Sequence, residues 1–168
     1  MTDFDALARR ARTVVEAAIA ARLMIATAES CTGGLVSAAV TAVPGSSATL
    51  DRAFVTYSNE AKTEMLGVDA ELIRRHGAVS AEVAAAMVDG ALARSRADVA
   101  VAITGIAGPG GGSLEKPVGL VWFAARRRAG PQILLARRYG DLGRDAVRDA
   151  ATAEALDLLE RLIAAPRA

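Results

Sequence analysis

Leu23-Met24-Ile25-Ala26-Thr27-Ala28-Glu29-Ser30-Cys31-Thr32-Gly33-Gly34-Leu35-Val36-Ser37-Ala38-Ala39-Val40 has the pattern of a buried strand passing through a tight turn into a helix. An apolar run of strand length at 23–28 meets a short polar turn, and an apolar segment predicted as a helix over 32–43 follows. A serine on such a strand-to-helix turn stands proud of the sheet edge. There the N–H groups behind it and the helix N-terminus can meet a developing negative charge. Ser30 reads equally well as a simple cap of the helix beginning at Thr32. The Gly33-Gly34 pair tilts the balance toward chemistry. Each glycine in a first helical turn is disfavoured by roughly 1 kcal/mol relative to Ala, and close approach of a ligand to the backbone would explain the pair.

Outward from this unit, Phe4, Leu7, Ala8, Ala11, Val14, Val15, Ala18 and Ile19 recur at helical spacing. A helix over 3–21 is predicted, with Asp3 or Thr2 as its N-cap. Pro44-Gly45-Ser46-Ser47 punctuates the chain, and Thr49–Tyr57 reads as a second strand. Short helices are expected over 59–66 and 69–75, the latter closed by Gly77. A helix capped by Ser80 should run to about Arg94, and Val99–Ile103 is a buried strand. A glycine-rich loop at 105–113 precedes strands at 118–126 and 132–139, joined by Arg-Ala-Gly-Pro. A helix over 143–164 with Val147, Ala150, Ala151, Leu158, Leu159 and Leu162 on one face closes the chain. Strands separated by helices early and a hairpin late predict one domain over 1–168, an α/β/α sandwich of three layers around a mixed sheet.

Composition narrows the class. Lys plus Arg number 20 against 19 Asp plus Glu, and aromatic residues are only 4% of the chain. A balanced charge with few stacking side chains argues against a nucleic-acid binder. A single cysteine excludes an internal disulfide, and a single histidine excludes the usual Cys/His zinc arrangements. No signal-peptide form opens the sequence and no apolar run reaches the ~18 residues of a membrane span, so a cytoplasmic protein without a membrane partner is expected.

A serine nucleophile needs a proton acceptor. His76, in Arg74-Arg75-His76-Gly77, fits a helix C-terminus better than catalysis. Lys62, in Tyr57-Ser58-Asn59-Glu60-Ala61-Lys62, follows the second strand and should share a sheet edge with Ser30 and Tyr57, if it is not simply a solvated surface lysine. Burial would free its amine to act as a base. The third cluster, Thr104 to Gly119, is rich enough in glycine for backbone amides to converge on an anion. It is neither a P-loop nor a dinucleotide fingerprint, since it leads into a strand. Arg144, at the start of the last helix, suits a phosphate as well as it suits the surface.

Together these clusters resemble the CinA C-terminal domain family of nicotinamide-nucleotide amidohydrolases. The resemblance rests on Ala-Glu-Ser-Cys-Thr-Gly-Gly at 28–34, Tyr-Ser-Asn-Glu-Ala-Lys at 57–62, Leu-Gly-Val at 66–68 and Gly-Ala-Val-Ser at 77–80. It continues through Thr-Gly-Ile-Ala-Gly-Pro-Gly-Gly-Gly at 104–112, Glu-Lys-Pro-Val-Gly at 115–119 and Gly-Arg-Asp-Ala-Val-Arg at 143–148. Some members carry an added N-terminal molybdopterin-binding-like domain, and this chain resembles the standalone form. The resemblance implies hydrolysis of nicotinamide mononucleotide (NMN) to nicotinic acid mononucleotide and ammonia, without metal or cofactor, by a homodimer or larger assembly. It implies Ser30 as nucleophile, Lys62 as general base and Tyr57 as its partner. We further expect the amides of Cys31 and Thr32 to form the oxyanion hole. Gly33, Thr104, Gly105, Gly108, Gly110, Gly111 and Arg144 are expected to bind the nucleotide. Cys31, beside the serine, is the stronger nucleophile by intrinsic reactivity and competes for the role. Two other readings stay open: a serine amidohydrolase for another small amide, and a silent nucleotide-binding module related to competence or DNA damage.

Overall fold

The computed structural model describes residues 2–165. Its elements, in chain order, are α1 (Phe4–Ala21), β1 (Ile25–Glu29), α2 (Leu35–Thr41), a short 3-10 turn (Ser46–Ala48) and β2 (Leu50–Val55). They continue with α3 (Asn59–Leu66), α4 (Ala70–His76), α5 (Ala81–Ala93), β3 (Val99–Gly105), β4 (Leu120–Arg127), β5 (Gln132–Arg138) and α6 (Arg144–Ala164). The five strands form one sheet in the order β2-β1-β3-β4-β5. β1 pairs in parallel with β2 and β3, and β4 runs antiparallel to both β3 and β5. The mixed sheet and the helices on both its faces are those expected from the sequence.

Strand alternation divides the two faces by size. Ile25, Val99, Val101, Ile103, Val121 and Phe123 point to the side covered by α1, α2 and α6. Ala26, Ala28, Ala100, Ala102 and Ala124 point to the side covered by α5, with α3 and α4 beside it. Branched side chains fill the wider space on one face. The alanines let α5 lie close on the other.

Helix starts follow local chemistry. Asp3, Ser58, Asp69 and Ser80 each accept a bond from a first-turn amide, capping α1, α3, α4 and α5. Gly77, φ 74, ends α4 as expected. One boundary is corrected. α2 begins at Leu35 rather than at 32, because Gly33 and Gly34 take φ of 60 and 95 and form a turn ahead of the helix. Glu29, expected in the turn, is instead the last residue of β1. Among the described residues no helix is long and apolar enough to cross a membrane.

Candidate active site

β1 has β2 on one side and β3 on the other, so the chain leaves it in one direction and returns on the opposite flank. Ligands bind at the strand C-termini of such a switch point, where the outgoing loops part. Here β1 ends into Ser30, β2 into Thr56 and Tyr57, and β3 into the glycine-rich loop. The three loops enclose a cleft of about 270 Å³. Of the residues singled out in the sequence, Ser30, Cys31, Tyr57, Lys62, Thr104, Gly105, Gly108, Gly110, Gly111 and Arg144 line it. Asn59, Ala78, Val79, Ile106 and Ala107 complete the wall; all five lie in the stretches that carry the family resemblance, but none has a side chain that marks it singly as a site residue.

Ser30 and Lys62, 32 residues apart, meet directly: Lys62 Nζ lies 3.0 Å from Ser30 Oγ. Lys62 projects from the inner face of α3 and is 1% exposed. Its amine also reaches the carbonyls of Thr56 at 2.9 Å, Ser58 at 3.4 Å and Tyr57 at 3.5 Å. Burial disfavours the charged form and holds this lysine below its ordinary pKa, against smaller upward pulls from Cys31 and Glu60. The amine donates to Ser30 Oγ as well as to the carbonyls; in its neutral form it would keep two N–H donors and have a lone pair free to accept from the hydroxyl.

Tyr57 is not turned toward that amine. Its hydroxyl accepts from Arg144 at 2.8 Å, and Arg144 also donates to the Gly108 carbonyl at 3.0 Å. The guanidinium thus bridges the tyrosine on one lip of the cleft and the glycine-rich loop on the other. Thr104 donates to the Ala78 carbonyl at 2.7 Å and ties the floor to the α4–α5 connection. Cys31 is 6% exposed, and burial pushes its thiol up to about 12.

Thr32 and Gly33 do not line the cleft. Thr32 is fully buried, and the Gly33 N–H is bonded to the Ser30 carbonyl at 3.0 Å. The N-terminus of α2 is likewise taken, which corrects the expectation that it faces a substrate anion. The amides of Gly34, Val36 and Ser37 donate to the Glu29 carboxylate. The Cys31 and Thr32 amides lie between these committed groups. His76 ends α4 away from the cleft, 3.3 Å from the Glu82 carboxylate. Its carbonyl accepts from Lys116.

The chain is 52% identical over 160 residues to the nicotinamide-nucleotide amidohydrolase PncC of Escherichia coli, covering 95% of each. The crystal structure of the competence/damage inducible protein CihA from Agrobacterium tumefaciens superposes with a TM-score of 0.89 at 52% identity, covering 96% of each chain. The competence damage-inducible protein A of Klebsiella pneumoniae gives a TM-score of 0.90 at 37% identity, over 96% of this chain and 99% of that one. The family model for the CinA C-terminal domain matches residues 7–163, and the chain belongs to that family.

Proposed function

We propose that this protein hydrolyses the carboxamide of NMN, releasing ammonia and leaving nicotinic acid mononucleotide, as a step in pyridine-nucleotide recycling. The observation that carries the reading is the 3.0 Å contact between the buried Lys62 amine and the Ser30 hydroxyl. The choice of substrate is supported by the 52% identity to the Escherichia coli amidohydrolase.

In this reading Ser30 Oγ attacks the carboxamide carbon as neutral Lys62 takes its proton. The C–O bond forms and negative charge gathers on the carbonyl oxygen, where the Cys31 amide, on the cleft wall, would stabilise it; Thr32, buried outside the cleft, is not placed to share that role. The C–N bond then breaks, and Lys62 returns the proton to the departing ammonia. Lys62 next deprotonates a water that cleaves the nicotinoyl ester, and Ser30 recovers its hydrogen. Because lysine and serine meet without an intermediary, Tyr57 serves here as a cleft wall. It holds Arg144 toward the loop of Gly105, Gly108, Gly110 and Gly111, where the ribose and phosphate would lie beside Thr104. The whole chain works as one domain, since all three loops spring from one sheet.

Purified protein incubated with NMN, without added metal, should yield nicotinic acid mononucleotide and ammonia in equal amounts. Ser30→Ala and Lys62→Ala should remove that activity while keeping the wild-type circular dichroism. Activity on other small amides but not NMN would reassign the substrate. NMN binding without turnover would favour a silent nucleotide-binding module.

A further inference from the structure

The helices of this chain start in two ways. α1, α3, α4 and α5 each use one short side chain from the residue before the helix. α2 does not. Its first amides are held by Glu29, five residues upstream of Gly34 and on the far side of Ser30. Glu29 is fully buried. Its Oε2 accepts from Thr32 Oγ1 at 2.8 Å, Gly34 N at 3.0 Å and Val36 N at 3.1 Å. Its Oε1 accepts from Ser37 N at 2.9 Å and Thr27 Oγ1 at 3.2 Å. All of these donors are neutral. Burying a carboxylate among neutral donors is expensive, and the single short side chains that cap α1, α3, α4 and α5 do the same work without that burden. What the costly arrangement adds is closure: the carboxylate joins the end of β1 to the start of α2, with Ser30, Cys31 and Thr32 inside the ring.

A second clamp comes from α6. Arg148 Nη2 donates to the Thr32 carbonyl at 3.0 Å, while Glu29 holds the hydroxyl of the same residue. Arg148 lies one helical turn beyond Arg144 but does not line the cleft. Thr32 is thus gripped at its side chain and at its carbonyl, which fixes the turn that carries Ser30 and Cys31.

We propose that Glu29 and Arg148 are positioning residues for the Ser30 chemistry, locking the 30–34 turn so that the serine hydroxyl meets Lys62 and the Cys31 amide is aimed at the developing oxyanion. The inference rests on the reading of Ser30 as nucleophile. Neither residue touches substrate, so both act on the rate of bond making and little on ground-state affinity.

The test reads kcat and KM for NMN, melting temperature, and the rate at which a fluorophosphonate probe phosphonylates Ser30. Arg148→Met should lower kcat and the phosphonylation rate together, roughly 10- to 100-fold, the scale on which misplaced reacting groups act. KM and melting temperature should stay near wild type, and Arg148→Lys, which keeps a donor for the Thr32 carbonyl, should recover part of the rate. Glu29→Gln should move both rates further in the same direction, with faster amide hydrogen exchange across 30–37. Wild-type rates in folded Arg148→Met overturn the proposal, and so do losses that only track the unfolded fraction. Should wild-type Ser30 be phosphonylated while NMN is not deamidated, the substrate reading fails, and the probe rates still decide the positioning roles by the same criteria. Should wild-type Ser30 resist the probe, the serine reading and this inference fall together.

Discussion

Ser30 and Cys31 are neighbours that could exchange roles on paper, and burial separates them. The thiol packs into the apolar core under α2, and loss of hydration pushes it up to about 12, so at neutral pH the thiolate that makes cysteine a strong nucleophile is absent. In the proposed mechanism the serine needs no anion of its own, because the Lys62 amine stands 3.0 Å away. Cys31→Ala should therefore keep kcat for NMN within about twofold of wild type in steady-state assays, since no bond-making step passes through sulfur. A collapse of activity in the folded variant would move the nucleophile to position 31. Lys62 sets the pH behaviour. Burial places its folded pKa below the ordinary 10.5, and only the neutral amine accepts the serine proton, so kcat should climb with pH along that ionisation. Stability follows the same sign. Between the folded value and 10.5 the unfolded chain binds more protons than the folded one, so stability should rise with pH across that window. The charged, buried form below it is the destabilised one. Urea titrations of wild type and Lys62→Met over the same pH range check this; the slope specific to that window should vanish in the variant.

The base is delivered by an element, and α3 is only as well placed as its contacts with α5. Gly90 of α5 passes so near the last turn of α3 that a β-carbon there would lie 2.1 Å from the Leu66 carbonyl oxygen. Arg94 donates to that same carbonyl at 2.7 Å. A helix interior ordinarily gains about 1 kcal/mol when Gly becomes Ala, but here overpacking against backbone should cost about 1–3 kcal/mol and reverse the sign. Gly90→Ala should lower the melting temperature. Displacement of α3, which carries Lys62, should also reduce kcat more than KM changes. Elements of this kind show which features the sequence carries openly. Caps at Asp3 and Ser80 and the stop at Gly77 are legible because each acts within four residues. Ser30 and Lys62 are legible as a pair because each lies beyond a strand, Ser30 after the buried β1 and Lys62 after the half-exposed edge strand β2, and parallel strands in such a sheet end at a common edge. The role of Glu29 is not legible locally, because its partners lie up to eight residues ahead, across a turn whose Gly33 and Gly34 conformations set where α2 begins. The Tyr57–Arg144 bond spans 87 residues and follows from α6 lying on the sheet, which no local pattern announces.

Across the whole molecule, stability and chemistry are spread over different regions of one sheet. The apolar mass lies with the large side chains under α1, α2 and α6, whereas the proposed reacting groups meet at one edge, Ser30 on the loop after β1 and Lys62 on α3. α6 spans both regions: Arg144 and Arg148 reach the cleft and the nucleophile turn from its first turns, and Leu156, Leu158, Leu159, Leu162 and Ile163 are buried toward its far end. Leu159 is fully buried and lies ~22 Å along the helix axis from Arg144, at 1.5 Å of rise per residue. Truncating it removes packing from the core without reaching the residues that hold Ser30. Leu159→Ala should therefore cost about 2–5 kcal/mol through lost transfer energy and the cavity left behind. Each kcal/mol should lower the melting temperature by roughly 2–4 °C in a chain of this size. At 25 °C the folded variant should turn over NMN with wild-type kcat and KM, because sites this far apart and without shared partners act additively. Denaturant titration and steady-state kinetics on the same preparation check both halves. A large kcat loss in fully folded Leu159→Ala would mean that α6 couples the core to the nucleophile turn as a rigid lever, and the separation of packing from chemistry argued here would fail.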